Sequence, residues 1–206
     1  ASVDGVLGTK PASLYRGFYQ HEYMVDLAAN AFVRAFIDNE DVVVLPSFTP
    51  HMEEKALLAL IWDKRWTPFL EAQLGAAAMK HLEKVVPYTW IIGQEQFFSL
   101  GLPYGMGSSE GLASLPKSKR NFVLKKSGFG SGCSWGEGVS FLQEKSSVKA
   151  RELLHVAAGD SSALYIVQQF REGTKRRMFY EEDGLLKEMN ARVRITPYFT
   201  MVGELI

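Results

Sequence analysis

Apolar and polar positions recur along this chain with two different periods, and each period predicts a different kind of element. Apolar residues at helical spacing predict helices over residues 21–38, over EEKALLALIW from near Pro50, and over residues 70–84 and 144–158. Short apolar runs rich in β-branched and aromatic residues predict strands in VVVL, VVPYTWII, NFVLKK, ALYIVQQF, MFYEE and LLKEMNARVRI. The sequence therefore predicts a mixed α/β (α+β) fold.

Three of these elements carry more detailed expectations. VVPYTWII is expected at a sheet edge, because Pro87 has no N–H to donate to a neighbouring strand. Asp183 and Gly184 predict a hairpin turn between the last two strands. The helix over residues 144–158 is expected to direct four apolar side chains inward, those of Val148, Leu153, Leu154 and Val156.

Composition along the chain also predicts its division into domains. Residues 1–92 are expected to form an N-terminal α/β lobe and residues 121–206 a second lobe. Between them, residues 93–120 are rich in glycine, serine and proline with few regular apolar positions. A long stretch of this kind predicts a flexible connection between the two lobes.

Charge and cysteine content narrow the classes of function. Lysine plus arginine equals aspartate plus glutamate at 23 each, so no overall field attracts nucleic acid or an anionic membrane, and an anion site has to be local. The single cysteine, Cys133, has no second cysteine for an intramolecular disulfide, which favours a cytoplasmic location. No run of about 18 apolar residues and no basic-plus-apolar leader pattern is present in the sequence.

The candidate chemistry lies in NFVLKKSGFGSGCSWGEGVSF, where an apolar strand with two lysines runs into a glycine-rich loop. Glycines let backbone N–H groups approach an anion closely, and an ammonium at the strand end adds charge. Lys125 and Lys126 point to opposite faces, so strand phase decides which of them meets a phosphate. The alternative is a glycine-rich hairpin with solvated lysines. The stretch matches neither a P-loop nor a dinucleotide fingerprint.

Taken in order, these motifs resemble the ATP-grasp superfamily over about Glu53 to Ile195. EEKALLALIW, the lysine strand and YIVQQF look most like the circularly permuted, glutathionylspermidine synthase type. The resemblance implies two lobes of mostly antiparallel sheet with flanking helices that enclose a nucleotide cleft, with ATP and magnesium as cofactors.

The resemblance also implies a role for individual residues. Lys55 and Lys125 would contact nucleotide phosphates, with Lys126 second, while the loop residues Gly128, Gly130, Ser131 and Gly132 would cover them. Gln168, Gln169, Phe170 and Arg171 would form the hinge that hydrogen-bonds adenine, and Glu172 would reach the ribose. Glu188 and Asn190 match an E-x-N magnesium pair, and Arg192 with Arg194 would offset phosphate charge. On spacing alone, Glu188, Asn190, Arg192 and Arg194 equally fit the solvated face of a sheet.

The function implied by this resemblance is ATP-dependent ligation through an acyl phosphate, joining a small-molecule or peptide carboxylate to an amine or a thiol. A second hypothesis is a non-catalytic nucleotide-binding or interaction module that keeps the ATP-grasp shape. A third is a structural α/β domain with a glycine-rich hairpin. Neither nucleic acid nor a membrane is expected as a partner.

Overall fold

A computed structural model describes residues 13–17, 19, 20, 22, 31, 34, 38, 42–128 and 130–193. The helix predicted over residues 21–38 lies almost entirely outside the described residues, and so does Arg194. The chain divides into two compact units, Ala1–Phe170 and Arg171–Ile206. The fold mixes helices with mainly antiparallel sheets.

The first unit contains six strands and four α-helices within the described ranges. The strands are β1 (Ser13–Tyr15), β2 (Val43–Leu45), β3 (Thr89–Ile91), β4 (Phe122–Lys126), β5 (Val139–Phe141) and β6 (Tyr165–Gln169). The helices are α1 (Leu57–Leu60), α2 (Thr67–Leu74), α3 (Ala76–Val85) and α4 (Ser147–Gly159). Short 3-10 helices cover Pro50–Glu53, Glu95–Phe97, Pro103–Gly105, Ser109–Ser114, Lys117–Lys119 and Leu142–Glu144. No helix of the described part combines the length and apolarity needed to cross a membrane.

A four-stranded antiparallel sheet in the order β3-β6-β4-β5 forms the centre of this unit. Its register pairs Val123 with Gln168 and Lys125 with Ile166. The predicted strands at these positions are confirmed, and β3 lies at an edge of the sheet, as Pro87 predicts. The separate pair β1 and β2 is parallel.

The core is built from strand residues and from one face of α4. Trp90 and Val167 are fully buried, and Leu154 of α4 packs into the same cluster. The buried stripe of α4 is Ala150, Leu154 and Ala157. Val148 and Val156 are instead 78% and 59% exposed, so their predicted inward orientation is wrong. The spacing of 150, 154 and 157 leaves both valines on the opposite face of the helix.

Two helices predicted as continuous are interrupted in the structure. The helix expected from Pro50 ends as a 3-10 turn at Glu53, because Glu54 is extended at φ −83° and ψ 110°. Lys55 therefore precedes α1 instead of lying in the first turns of a long helix. The helix expected over residues 70–84 is divided between α2 and α3 by Gly75, which has φ 82°.

The stretch predicted as a flexible connection, residues 93–120, contributes to the core. It contains four 3-10 helices and buries Ser109, Leu112 and Ala113. The indole N–H of Trp90 donates to Ser109 Oγ at 2.9 Å. Because 3-10 turns are short and this stretch has no regular apolar period, its sequence does not reveal these core contacts.

The described part of the second unit contains a hairpin of β7 (Lys175–Glu182) and β8 (Leu185–Arg192). Asp183 and Gly184 both have positive φ, of 56° and 74°, which suits a two-residue turn matched to strand twist. The hairpin predicted from these residues is confirmed. Of its strand residues, Ala191 alone is partly buried and the others are exposed.

A buried carboxylate in the first unit makes stability depend on pH. Asp63 is fully buried and accepts hydrogen bonds from Arg65 Nη2 at 2.5 Å and from the Arg65 backbone N–H at 2.9 Å. Burial opposes ionisation, but the hydrogen bonds and the charge of Arg65 outweigh it and lower the Asp63 pKa. A lowered folded-state pKa contributes stability above the unfolded value of about 3.9, and this contribution is lost as pH falls through the folded value.

We expect Asp63→Asn to lower the free energy of unfolding by about 1.5 kcal/mol at pH 7, the contribution of hydrogen bonds to a charged group. The deficit should shrink as the pH falls below about 4, where the Asp63 carboxyl of the unfolded chain takes up a proton, and it is lost as the pH passes through the lower folded-state pKa. Urea unfolding at pH 7 and at pH 3 measures both effects, with the exposed Glu83→Gln as the control. An equal deficit at the two pH values would contradict the assignment.

Candidate functional site

The glycine-rich loop joins β4 to β5 and folds back on the end of β4. The Lys126 backbone N–H donates to the Gly138 carbonyl at 2.8 Å, and the Cys133 N–H donates to the Gly130 carbonyl at 3.1 Å. Gly128 and Gly132 have positive φ, of 116° and 74°, which favours glycine at both positions. The loop is therefore a defined turn structure attached to the lysine strand.

A cavity of about 450 Å³ lies beside this loop. Four predicted site residues line it, namely Lys126, Gly128, Gly130 and Ser131. Gly132, also predicted, belongs to the loop but not to the residues given for the cavity wall. Glu54, Ser127 and Cys133 line the cavity as well, and the sequence pattern did not single them out as binding residues.

The two lysines of β4 have different surroundings. Lys126 lines the cavity, and its charge also contributes to the lowered pKa of Asp160, after the hydrogen bonds from Ser162. Lys125 points to the other face of the strand and donates from Nζ to Gln168 Oε1 at 2.6 Å. In the register of β4 against β6, which the sequence left open, the side chains of Lys125 and Lys126 therefore lie on opposite faces of the sheet.

Lys55 reaches the loop from a remote part of the chain. Its Nζ donates to the carbonyl oxygen of Cys133. The segment around it is fixed to the end of β4, because the Ala56 N–H donates to Ser127 Oγ at 2.7 Å and Ser127 Oγ donates to Glu54. Ser127 is 3% exposed, so this attachment is buried.

The surroundings of Lys125 change the pKa of its ammonium group. Burial of Lys125 lowers the pKa of its ammonium, and the positive charge of Lys55 lowers it further. An anion that binds near Lys125 favours its charged form and offsets both effects. An anion beside Lys125 would therefore be attracted by the positive charges of both lysines.

The hinge residues are already engaged by hydrogen bonds within the first unit. The Gln169 N–H donates to the Tyr88 carbonyl at 2.8 Å, and the Phe170 N–H donates to the Asn121 carbonyl at 3.0 Å. Asn121 Nδ2 donates back to the Phe170 carbonyl at 3.0 Å. Gln168 is 7% exposed and its side-chain oxygen accepts from Lys125. An adenine ring at this hinge would have to share or replace these partners.

The remaining predicted residues lie in the second unit. Arg171 and Glu172 are exposed at its start, and Arg192 forms an ion pair with Glu172. Glu188 and Asn190 share one face of β8, but Arg177 Nε lies 3.6 Å from Glu188 Oε1.

A magnesium ion does not fit the Glu188 and Asn190 pair as it stands. Hard oxygen ligands suit magnesium, whereas a guanidinium beside the carboxylate competes with the ion for it. The described residues also contain no group of three or more histidine, cysteine, aspartate or glutamate side chains placed to hold a metal. The magnesium site stays a prediction from the resemblance.

A second cavity, of about 410 Å³, involves residues that the sequence gave no reason to select. Tyr15, Arg16, Tyr19, Glu53 and Trp135 are among its lining residues. Trp135 belongs to the glycine-rich loop, and its ring meets that of Tyr19 edge-on at 5.2 Å between centroids. This contact joins the loop to the N-terminal part of the same unit.

No protein-family model, curated protein or solved structure matches this chain. The site itself therefore supplies the basis for a functional proposal. Its defining features are a glycine-rich loop, a cavity beside it, and three lysines from two segments of the chain, namely Lys55, Lys125 and Lys126.

Proposed function

We propose that the glycine-rich loop, together with Lys55 and Lys125, binds the phosphates of ATP. The observation that carries this proposal is that Lys55, which is far from Lys125 in sequence, binds the Cys133 carbonyl of the loop and contributes with its charge to the lowered Lys125 pKa. Bringing two like charges together costs free energy in the absence of an anion. A triphosphate offsets that cost, and the loop backbone offers N–H groups to its oxygens.

We further propose that the reaction is the ATP-dependent ligation of a carboxylate to an amine or thiol. A carboxylate oxygen attacks the γ-phosphorus, the bond to ADP breaks, and an acyl phosphate forms. The amine or thiol then attacks the acyl carbon, phosphate leaves, and the nucleophile gives up a proton. In this scheme Lys55 and Lys125 offset the charge that moves onto the phosphate oxygens, which is the main protein contribution in phosphoryl transfer.

The division of the chain supports the same proposal. The boundary between the two compact units lies at Phe170 and Arg171, where the ATP-grasp resemblance places the hinge between its lobes. Arg192 and Glu172, which the resemblance associates with phosphate and ribose, belong to the unit after that boundary.

A non-catalytic nucleotide-binding module is the second candidate. The pairing of Glu188 with Arg177 favours it, because an enzyme of this type needs its acidic ligands free for magnesium. The two candidates differ in turnover. A ligase consumes ATP when magnesium, a carboxylate and an acceptor are present, whereas a binding module is stabilised by ATP without consuming it.

Thermal unfolding with and without ATP tests the binding proposal. ATP at a hundred times its Kd should stabilise the native protein by about 2.7 kcal/mol, because it binds the folded state alone. Lys125→Ala and Lys55→Ala should each reduce ATP affinity at least about tenfold, the loss of one charge-assisted contact. The exposed Lys80→Ala should keep the wild-type shift.

Two comparisons keep this test informative. Each variant is measured against its own ligand-free midpoint, so a change in basal stability does not count as lost binding. Repeating the thermal unfolding with ATP in the presence and absence of magnesium shows whether the metal contributes to ATP binding. Absence of a shift in the wild type at millimolar ATP would overturn the nucleotide site.

A further inference from the structure

A chain of three hydrogen bonds lies behind the Lys125 ammonium. Thr89 Oγ1 donates to the Pro87 carbonyl at 2.8 Å, Gln168 Nε2 donates to Thr89 Oγ1 at 2.9 Å, and Lys125 Nζ donates to Gln168 Oε1 at 2.6 Å. Thr89 is fully buried and Gln168 is 7% exposed. The chain runs from β3 across β6 to β4, three adjacent strands of the central sheet.

The polarity of this chain is fixed from its far end. A carbonyl oxygen accepts only, so Thr89 gives its single hydroxyl proton to Pro87. Toward Gln168 the threonine oxygen then accepts, and the Gln168 amide has to present its NH₂ group there. The amide oxygen of Gln168 therefore faces Lys125, as the ammonium requires.

We propose that Thr89 and Gln168 form a positioning relay, which holds the Lys125 ammonium in place for a phosphate while leaving its positive charge unneutralised. The role of the relay rests on the proposed function, in which Lys125 contacts the nucleotide. Gln168 is then a positioning residue, whose side chain is engaged by Thr89 and Lys125.

The neutrality of Gln168 is the feature that distinguishes this arrangement from an ion pair. A carboxylate at this position would hold the ammonium equally well but would compete with a phosphate for it. The amide oxygen fixes the position and leaves the net charge intact. Among the described residues, Lys55 supplies the neighbouring charge that acts on Lys125. Its positive charge adds to the electrostatic attraction of an anion.

The relay is tested first without nucleotide, on the full chain. NMR titration of the lysine side-chain signals gives the Lys125 pKa, and loss of the signal in Lys125→Arg assigns it.

Thr89→Val removes the hydroxyl while keeping a β-branched residue in β3, and it should lower the Lys125 pKa because the acceptor is no longer held. Thr89→Ser keeps the hydroxyl and should leave that pKa unchanged. Gln168→Glu should raise it.

A second variant covers the case in which Thr89→Val fails to fold. Gln168→Leu removes the acceptor and leaves Thr89 in place, and it should lower the Lys125 pKa in the same direction. If folded Thr89→Val or Gln168→Leu keeps the wild-type Lys125 pKa, the relay is not a positioning device and the proposal is overturned.

Nucleotide affinity then separates this proposal from the broader one. Thr89→Val and Gln168→Glu should each weaken ATP binding about tenfold, whereas Thr89→Ser should change it less than about twofold. If the variants shift the Lys125 pKa as expected but the wild type binds no ATP, the relay stands and the nucleotide site fails. If ATP binds equally to all variants, the relay does not serve the nucleotide.

Discussion

Replacing Gly138 with alanine should lower the free energy of unfolding by about 3 kcal/mol, at the upper end of the usual cost of overpacking. A Cβ on Gly138 would lie 2.2 Å from the Gly132 carbonyl oxygen and 2.8 Å from Lys126 Cβ. The first of these atoms belongs to the backbone, so relief requires a shift of the loop itself. The Gly138 carbonyl also accepts from the Lys126 N–H, and that shift would strain this contact.

Chemical unfolding of Gly138→Ala measures this effect, and a thermal midpoint lowered by roughly 6–12 °C should accompany it for a chain of this size. Gly130→Ala is the matched control in the same loop, because a Cβ there meets no described heavy atom within 4 Å and its φ is not positive. If the two alanine variants are equally stable, the loop does not pack on the end of β4 as the structure indicates.

The elements that the sequence predicted correctly are those with a local signal. β4, β6 and the β7-β8 hairpin each carry a short apolar or alternating run, and Asp183 with Gly184 supplies the turn. The helix break at Glu54 has a weaker signal, because propensity favours continuing that helix, whereas Gly75 is a poor helix former within a run of strong ones. Tertiary contacts at Ser127, which hold the segment after Glu54, decide the first break.

The face that each helix or strand directs inward depends on the elements that pack against it, and its own sequence does not determine it. The exposed Val148 and Val156 show that an apolar residue in α4 does not define its inward face, which is set by its packing partners, above all the 3-10 helix Ser109–Ser114. In the same way, the sequence placed Lys125 and Lys126 on opposite faces but did not identify the side that carries the cavity. The cavity itself resolves this, because Lys126 is among its lining residues.

The contacts that assemble the site are long-range, and no spacing rule predicts them. The resemblance implied that Lys55 and Lys125 serve one nucleotide, and in the structure Lys55 contacts the glycine-rich loop while its charge acts on Lys125. Nothing in the sequence indicated that Thr89 orients Gln168. Such a relay requires three strands in register, which is a property of the sheet and not of any one segment.

A buried ion pair gives the second large expected effect. Arg16 Nη1 lies 2.5 Å from Glu53 Oε1, with only 3% and 10% of the two side chains exposed. Glu53→Gln leaves the arginine charge buried without its counter-ion, which typically costs about 3–5 kcal/mol. Arg16 also donates to the carbonyls of Pro46 and Ser47, which places the expected loss at the lower end of that range, about 3 kcal/mol.

Glu152→Gln is the matched control for this change. Glu152 lies 2.7 Å from Lys149, but more than half of each side chain is exposed, so its loss should cost less than about 0.5 kcal/mol. Urea unfolding of both variants measures the difference, and equal stabilities would contradict the buried pair.

Glu53 connects its ion pair with Arg16 to the candidate site at the glycine-rich loop. Glu53 also accepts from the Gln20 N–H at 3.1 Å, and it ends the 3-10 turn directly before Glu54 and Lys55. The N-terminal part of the unit is thereby held to the segment that places Lys55 at the loop. Glu53→Gln should consequently weaken ATP binding as well as stability, whereas a loss of stability with unchanged affinity would mean that Ser127 alone holds Lys55 in place.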